Sequence, residues 1–267
     1  MAAHGPSLRS NTRIWWQMTH RAVAARYRSS TLGALWAWLL PVLMLAVYGF
    51  VFTQIFEPRW SVPSETDGTA SFVIILFAGL LVFGALNEVV MQSAGAVVAH
   101  ANFVKKTVFP LLVLPLTVVA SAMFNFIIGL VILFAAQFAL GSAPPLTALY
   151  LPVVLAPFLL MLVGTSWLLA ALGTYLRDIG HILAPVMTAA LFLAPILYPM
   201  SAIPEAAHPF IALNPITVIA EQVHRCVVFG VPPQPLPLLI YSACAVAVAA
   251  IGYAVFQFCR PGFADVL

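Results

Sequence analysis

The chain is poor in charge. Asp, Glu, Lys and Arg make up 7% of its 267 residues, where a soluble domain carries about 25%. Lysine occurs only as the adjacent pair Lys105 and Lys106. A nucleotide-binding phosphate loop needs a glycine-rich turn ending in Lys-Ser or Lys-Thr, so that route to ATP is excluded and no cofactor is expected in this chain. No two histidines share a helix face with a nearby glutamate, and no acidic pair is spaced for magnesium, so neither metal is predicted to bind. The histidines are scattered: His100 and His181 fall at expected inner loops, His208 and His224 at outer ones, and all four read as polar loop residues. Cys226, Cys244 and Cys259 have no metal or redox spacing, and a disulfide framework is not expected. A net charge of +3 is too small to point to nucleic acid. No cleavable leader is expected, because the first residues are polar and basic and the first apolar run is a full span.

Apolar residues fill the gap. They make up 63% of the chain, and mean hydropathy is +1.05. A bilayer core is crossed by roughly 20 apolar residues in a helix, which satisfies its own backbone hydrogen bonds. The expected fold is an all-α integral membrane protein, residues 1–267 forming one transmembrane domain with no room for a soluble one. From Ser29 to Phe56 there are 28 residues without a formal charge, preceded by Arg26 and Arg28. Cations resist crossing, so this span runs from inside to outside. Trp36 and Trp38 suit its inner interface, and Pro41 marks a possible kink. Residues 9–28 mix arginines with Ile14, Trp15, Trp16 and Met18 at loosely helical spacing, which predicts an amphipathic helix on the inner leaflet.

Spans are expected at 32–56, 71–98, 112–138, 148–173, 182–199 and 237–258. The polar stretch 57–70 is an outer loop and 99–109, with both lysines, an inner one. From Thr107 to Leu176 there are 70 residues with no formal charge, and GSAPP at 141–145 is the strong breaker inside them. On this topology nine Lys and Arg lie inside and two, Arg59 and Arg225, outside. That bias supports six spans with both ends in the cytoplasm. Glu88, near the inner end of the second span, is a functional candidate because ionisable groups are rare in spans. The alternative pairs it with Lys105 or Lys106. Between the last two spans, 214–230 reads as a short helix, re-entrant or lying on the outer face. Asn214 caps it, Pro215 takes its first position, Gly230 stops it, and Glu221 and Arg225 are spaced to pair.

Four ordered stretches carry a resemblance. RYRSSTLGALWAWLLP (26–41), ANFVKKTVFP (101–110), LRDIGHILAPVMTAALFLAPILYPMSAIPE (176–205) and NPITVIAEQVHR (214–225), with FADVL at 263–267, are similar to ABC type-2 permeases that export bacterial surface polysaccharides. The likeness is nearest to lipopolysaccharide O-antigen exporters, with capsule and teichoic acid exporters as relatives. It implies a non-catalytic, channel-forming subunit in the bacterial inner membrane, paired as a homodimer. Two copies of a separate ATPase subunit would bind ATP and Mg and dock from the cytoplasm. The cargo would be a polysaccharide on undecaprenyl diphosphate. The family's coupling loop falls on about Ala99 to Thr107, here His100, Asn102, Phe103, Lys105 and Lys106. The interfacial helix, with Trp15, Trp16, Arg26 and Arg28, would lie where the lipid head enters. Asn214, Glu221 and Arg225 would belong to a periplasmic gate. A sugar polymer has apolar ring faces and many hydroxyls, so its channel should offer aromatic faces and few charges. Tyr48, Phe52 and Phe56 recur every four residues on one helix face. With Phe192, Tyr198 and Glu88 they form the expected lining. Capsule or teichoic acid cargo is the alternative within the class; a polytopic enzyme acting on lipid-linked sugars is the alternative outside it.

Overall fold

The computed structural model describes residues 8–28, 30–54, 68–104, 109–176, 178–198, 204, 211 and 214–267, without the side chains of 8–11, 52–54 and 68–71. Among the described residues every regular element is a helix: α1 (Leu8–Arg28), α2 (Trp36–Gln54), α3 (Gly68–Ser93), α4 (Ala101–Val104), α5 (Val113–Ala139), α6 (Leu151–Tyr175), α7 (Ile179–Phe192), α8 (Pro215–Val227), α9 (Pro235–Cys259) and α10 (Phe263–Val266). Among the described residues five segments are long and apolar enough to cross a membrane: Gly33–Val51, Phe72–Ser93, Val113–Ala139, Leu146–Tyr175 and Pro235–Val266. The protein is multi-pass.

α3 is the hub. From Phe72 to Leu86 its sequence is apolar all round, which suits a helix enclosed by others; the polar residues Asn87, Glu88 and Gln92 follow in its last turns. Ile75, Leu76, Val82 and Val89 are fully enclosed, and α3 packs on α2, α5, α6, α7 and α8. α2 is the opposite case. Leu39, Leu40, Leu43, Val47 and Phe50 stand exposed along it, as on a surface meant for lipid or another apolar partner.

The most extensive pairing is α6 with α9. Gly164 on α6 faces the α9 backbone so closely that a methyl there would lie 2.6 Å from Ala249 N and Cα. Gly252 in turn abuts the Gly164 carbonyl. Lipid tails are as apolar as leucine, so spans associate by close packing and interhelical hydrogen bonds, and small residues permit both. A hydroxyl knot adds to this among α3, α5 and α6. Ser166 Oγ donates to Pro115 O at 3.0 Å, so the 2.7 Å contact with Ser93 uses the Ser93 proton.

The span limits differ most at α7. Residues 182–199 read as one span, yet the helix covers Ile179–Phe192, 14 residues, and 193–198 are turns and bends. Pro195 explains the stop: its ring clashes with the carbonyl four residues back and it has no N–H to give. Pro185, Pro157 and Pro41 are tolerated inside α7, α6 and α2. The second span also ends early, at Ser93, and tightens into turns where Ala96 N bonds Ser93 O at 3.1 Å.

α8 forms where the sequence placed it. Asn214 Oδ1 accepts from Ile216 N at 3.0 Å and Pro215 occupies the first turn. Asn214 also donates Nδ2 to Ala190 O of α7 at 2.8 Å. At the other end, carbonyls left open by the helix are taken by Thr147 Oγ1 on Cys226 O (2.7 Å) and Gln137 Nε2 on Val227 O (2.8 Å). Gly230, at φ +64°, turns the chain away. The helix is held among α3, α6 and α9. His224, expected as an outer-loop residue, is instead 3% exposed. It lies against Gly79 of α3, whose missing Cβ makes room for the ring.

Candidate functional site

Glu88 gathers a polar cluster from three helices. Arg26 Nη2, in the last turn of α1, donates to Glu88 Oε1 at 2.6 Å. Asn125 of α5 donates Nδ2 to Oε2 at 2.9 Å and to Oε1 at 3.2 Å. Gln92, one turn along α3, reaches Oε1 at 3.5 Å. Tyr27 OH closes the group by donating to Asn125 Oδ1 at 3.1 Å. The carboxylate therefore receives several donors and one full countercharge. Side-chain exposure is 32% for Arg26 and 18% for Glu88, so the pair is half-sheltered rather than surface-bound. Burial works against the Arg26 charge; the hydrogen bond and negative charge of Glu88 outweigh it and hold the pKa above its ordinary value. Chemically this is a lock. It fastens the amphipathic α1 to α3 and α5, and it is electrically neutral.

Among the described residues the cation on Glu88 is Arg26, a partner the sequence reading did not name. Lys105 and Lys106 lie outside the described residues. Tyr27 and Asn125 escaped the sequence reading. The available signal was a lone amide in the apolar run MFNFIIG, which nothing else marks as a ligand for a carboxylate 37 residues away.

The other candidates are spread over the molecule. On α1, Trp15 is half-buried and Trp16 is 65% exposed, so the two indoles face different surroundings. Arg28 is exposed. His100 anchors the turn between α3 and α5 by Nδ1 to Ala96 O at 2.9 Å and stacks on Phe103 with centroids 5.9 Å apart. Phe103 stacks in turn on Phe109 at 4.7 Å, while Asn102 is exposed. Tyr48 is half-buried against the main core. The Phe52 side chain and Phe56 are outside the described residues. Phe192 is exposed, and Tyr198 donates its hydroxyl to the Phe192 carbonyl. The helices bearing Tyr48 and Phe192 both pack on α3; beyond it α2 meets α5 and α7 meets α6. On α8, Glu221 is exposed and Arg225 gives Nε to Pro232 O at 3.2 Å. The expected Glu221–Arg225 pair is not made, because the arginine closes the following turn instead. Among the described residues no group of three His, Cys, Asp or Glu converges as a metal site.

These helices, with an amphipathic lead locked to a bundle, agree with a sequence comparison. Residues 13–225 match the ABC-2 type transporter family. The chain belongs to that family. Among relatives of this ABC-2 protein, the O-antigen export system permease protein RfbA of Myxococcus xanthus is 30% identical over 250 residues, 93% of each chain. A Klebsiella pneumoniae protein of the same name is 26% identical over 251 residues, covering 94% of this chain and 93% of its own. The family match runs from Arg13 within α1 through nearly all of α8, so the Glu88 cluster and the turn between α3 and α5 fall within the ABC-2 region.

Proposed function

We propose that the protein is the membrane subunit of an ABC transporter that exports an O-antigen type polysaccharide, carried on undecaprenyl diphosphate, across the bacterial inner membrane. The observation that carries this is the 30% identity, over 93% of both chains, to a protein named as an O-antigen export permease. The chain supplies the path and not the energy. ATP and Mg belong to a separate ATPase subunit, two copies of which dock beneath a homodimer of this chain. Six spans place both ends in the cytoplasm, α7 with the residues after it serving as the fifth. The burial of α8 among α3, α6 and α9 favours a re-entrant helix over one lying flat on the outer face. Asn214, Glu221 and Arg225 then belong to the periplasmic gate.

The inner turn is the docking point for the ATPase. His100, Phe103 and Phe109 form a short aromatic stack that stiffens it, and Lys105 and Lys106 supply its charge. Trp15, Trp16, Arg26 and Arg28 flank the place where the lipid head enters, and Tyr48, Phe52, Phe56, Glu88, Phe192 and Tyr198 border the sugar path. Co-purification with the ATPase subunit tests the assignment. Wild-type protein is expected to bring it down. Lys105→Glu with Lys106→Glu is expected to weaken that association about tenfold or more, since like charges now face the partner, while membrane insertion stays normal. Full assembly and full export by the double variant would remove the docking assignment.

A further inference from the structure

A second apolar cluster lies beside the inner turn, apart from the main core. It joins Ala96, Val97, Leu111 and Leu114 to Ala170, Ala171, Phe256 and Phe263, with Val104, Phe109 and Leu267 packed against it. The turn between α3 and α5 thus rests on α6, on the end of α9 and on Phe263 and Leu267 of the segment after it.

We propose that Arg260–Leu267 is a brace that positions α4, and that Phe263 is its key positioning residue. This rests on the reading of residues 99–107 as the ATPase contact. α4 is four residues long, too short to hold a helical turn by itself. Besides the adjoining turn at Val98–His100, its substantial contact is with α10. Phe263 is fully buried. Its ring meets Phe256 edge-on at 5.3 Å and Tyr175 at 6.0 Å. Tyr175 in turn donates its hydroxyl to Cys259 O at 2.9 Å, fixing the point where the brace leaves α9. An open cleft of about 410 Å³ separates Val104, Phe109 and Leu111 from Gln257, Arg260, Pro261 and Ala264. At Val104 and Phe109 there is therefore space behind the chain, and Phe263 is where the two sides are joined through packed side chains. A force applied to α4 passes through this joint into α6 and α9. Without it α4 yields into the cleft, and nucleotide is hydrolysed without moving cargo.

The test uses the full complex with its ATPase in proteoliposomes and reads polymer exported per ATP hydrolysed. Phe263→Ala is expected to keep assembly and hydrolysis while lowering that ratio about fivefold; Phe263→Leu, which keeps most of the volume, is expected to restore most of it. Should Phe263→Ala fail to insert, Tyr175→Phe decides: loss of one hydrogen bond at the base of the brace is expected to lower the ratio about twofold. Export and hydrolysis falling in strict proportion, or an unchanged ratio in the inserted variants, would overturn the brace. A normal ratio in these variants combined with lost docking in the lysine double variant overturns the brace alone. Normal docking in the lysine variant overturns the contact reading on which it stands.

Discussion

Reversing either charge of the lock is expected to destabilise the protein strongly, and exchanging both is expected to recover much of the loss. Glu88→Arg sets two cations at a contact now closed to 2.6 Å and leaves the Asn125 amide without its acceptor. Arg26→Glu places a second carboxylate beside Glu88. Hydrogen bonds to charged groups contribute roughly 1.5–3 kcal/mol each, and removing one member of a sheltered pair costs more than the pair itself supplied. The exchange variant restores opposite charges across the same gap. Recovery is expected to be partial because Asn125, oriented by Tyr27 to donate, must turn to accept. A double-mutant cycle read by thermal unfolding in detergent measures this. Coupling of about 1.5 kcal/mol or more supports the lock. Strictly additive losses would mean that Arg26 and Glu88 do not act on each other. If α1 flanks the lipid-head entry as proposed, export should follow the same order.

The second large effect is expected at Gly164. Its absent Cβ would meet Ala249 N and Cα at 2.6 Å and Val248 C at 2.7 Å. All three are backbone atoms, so no side chain can rotate out of the way. Overpacking against side chains costs about 1–3 kcal/mol; here two helix axes must separate along the most extensive contact in the bundle. Gly164→Leu is expected to abolish monodisperse folded protein, with Gly164→Ala intermediate. Gly84→Leu is the matched control, because a Cβ at Gly84 meets nothing within 4 Å. Equal yields and unfolding temperatures for Gly164→Leu and Gly84→Leu would show that the two backbones do not touch.

The bundle was legible because hydrocarbon imposes a strong rule on composition. Runs of uncharged residues located α2, α3, α5, α6 and α9 to within a few residues, and Asn214–Pro215 placed the start of α8 by capping chemistry alone. The lead at 9–28 was readable as a helix from its mixed face. What stayed hidden depends on pairing across the chain. Arg26 and Glu88 are 62 residues apart and Tyr27 and Asn125 are 98 apart, and no local period records such a meeting. The positive-inside bias accounts for Arg26 without any acidic partner, so charge placement alone does not point to Glu88. His224 misled for a related reason: in a polar stretch an imidazole reads as solvent-facing, and its pocket is made by a glycine on another helix. Favourable spacing for Glu221 and Arg225 was outcompeted by a carbonyl at the next turn. Pro195 was counted as part of a span, yet the chain leaves the helix at Leu193, although Pro185 within the same helix is accommodated.

The most direct measurement is translocation of a lipid-linked O-antigen polymer in proteoliposomes, with and without the partner ATPase. The protein alone is expected to move no polymer; adding the ATPase with ATP and Mg is expected to start export, and a non-hydrolysable analogue to stop it. Sustained translocation by this chain alone, or an assembled complex that hydrolyses ATP without moving polymer, would contradict the role given to it here.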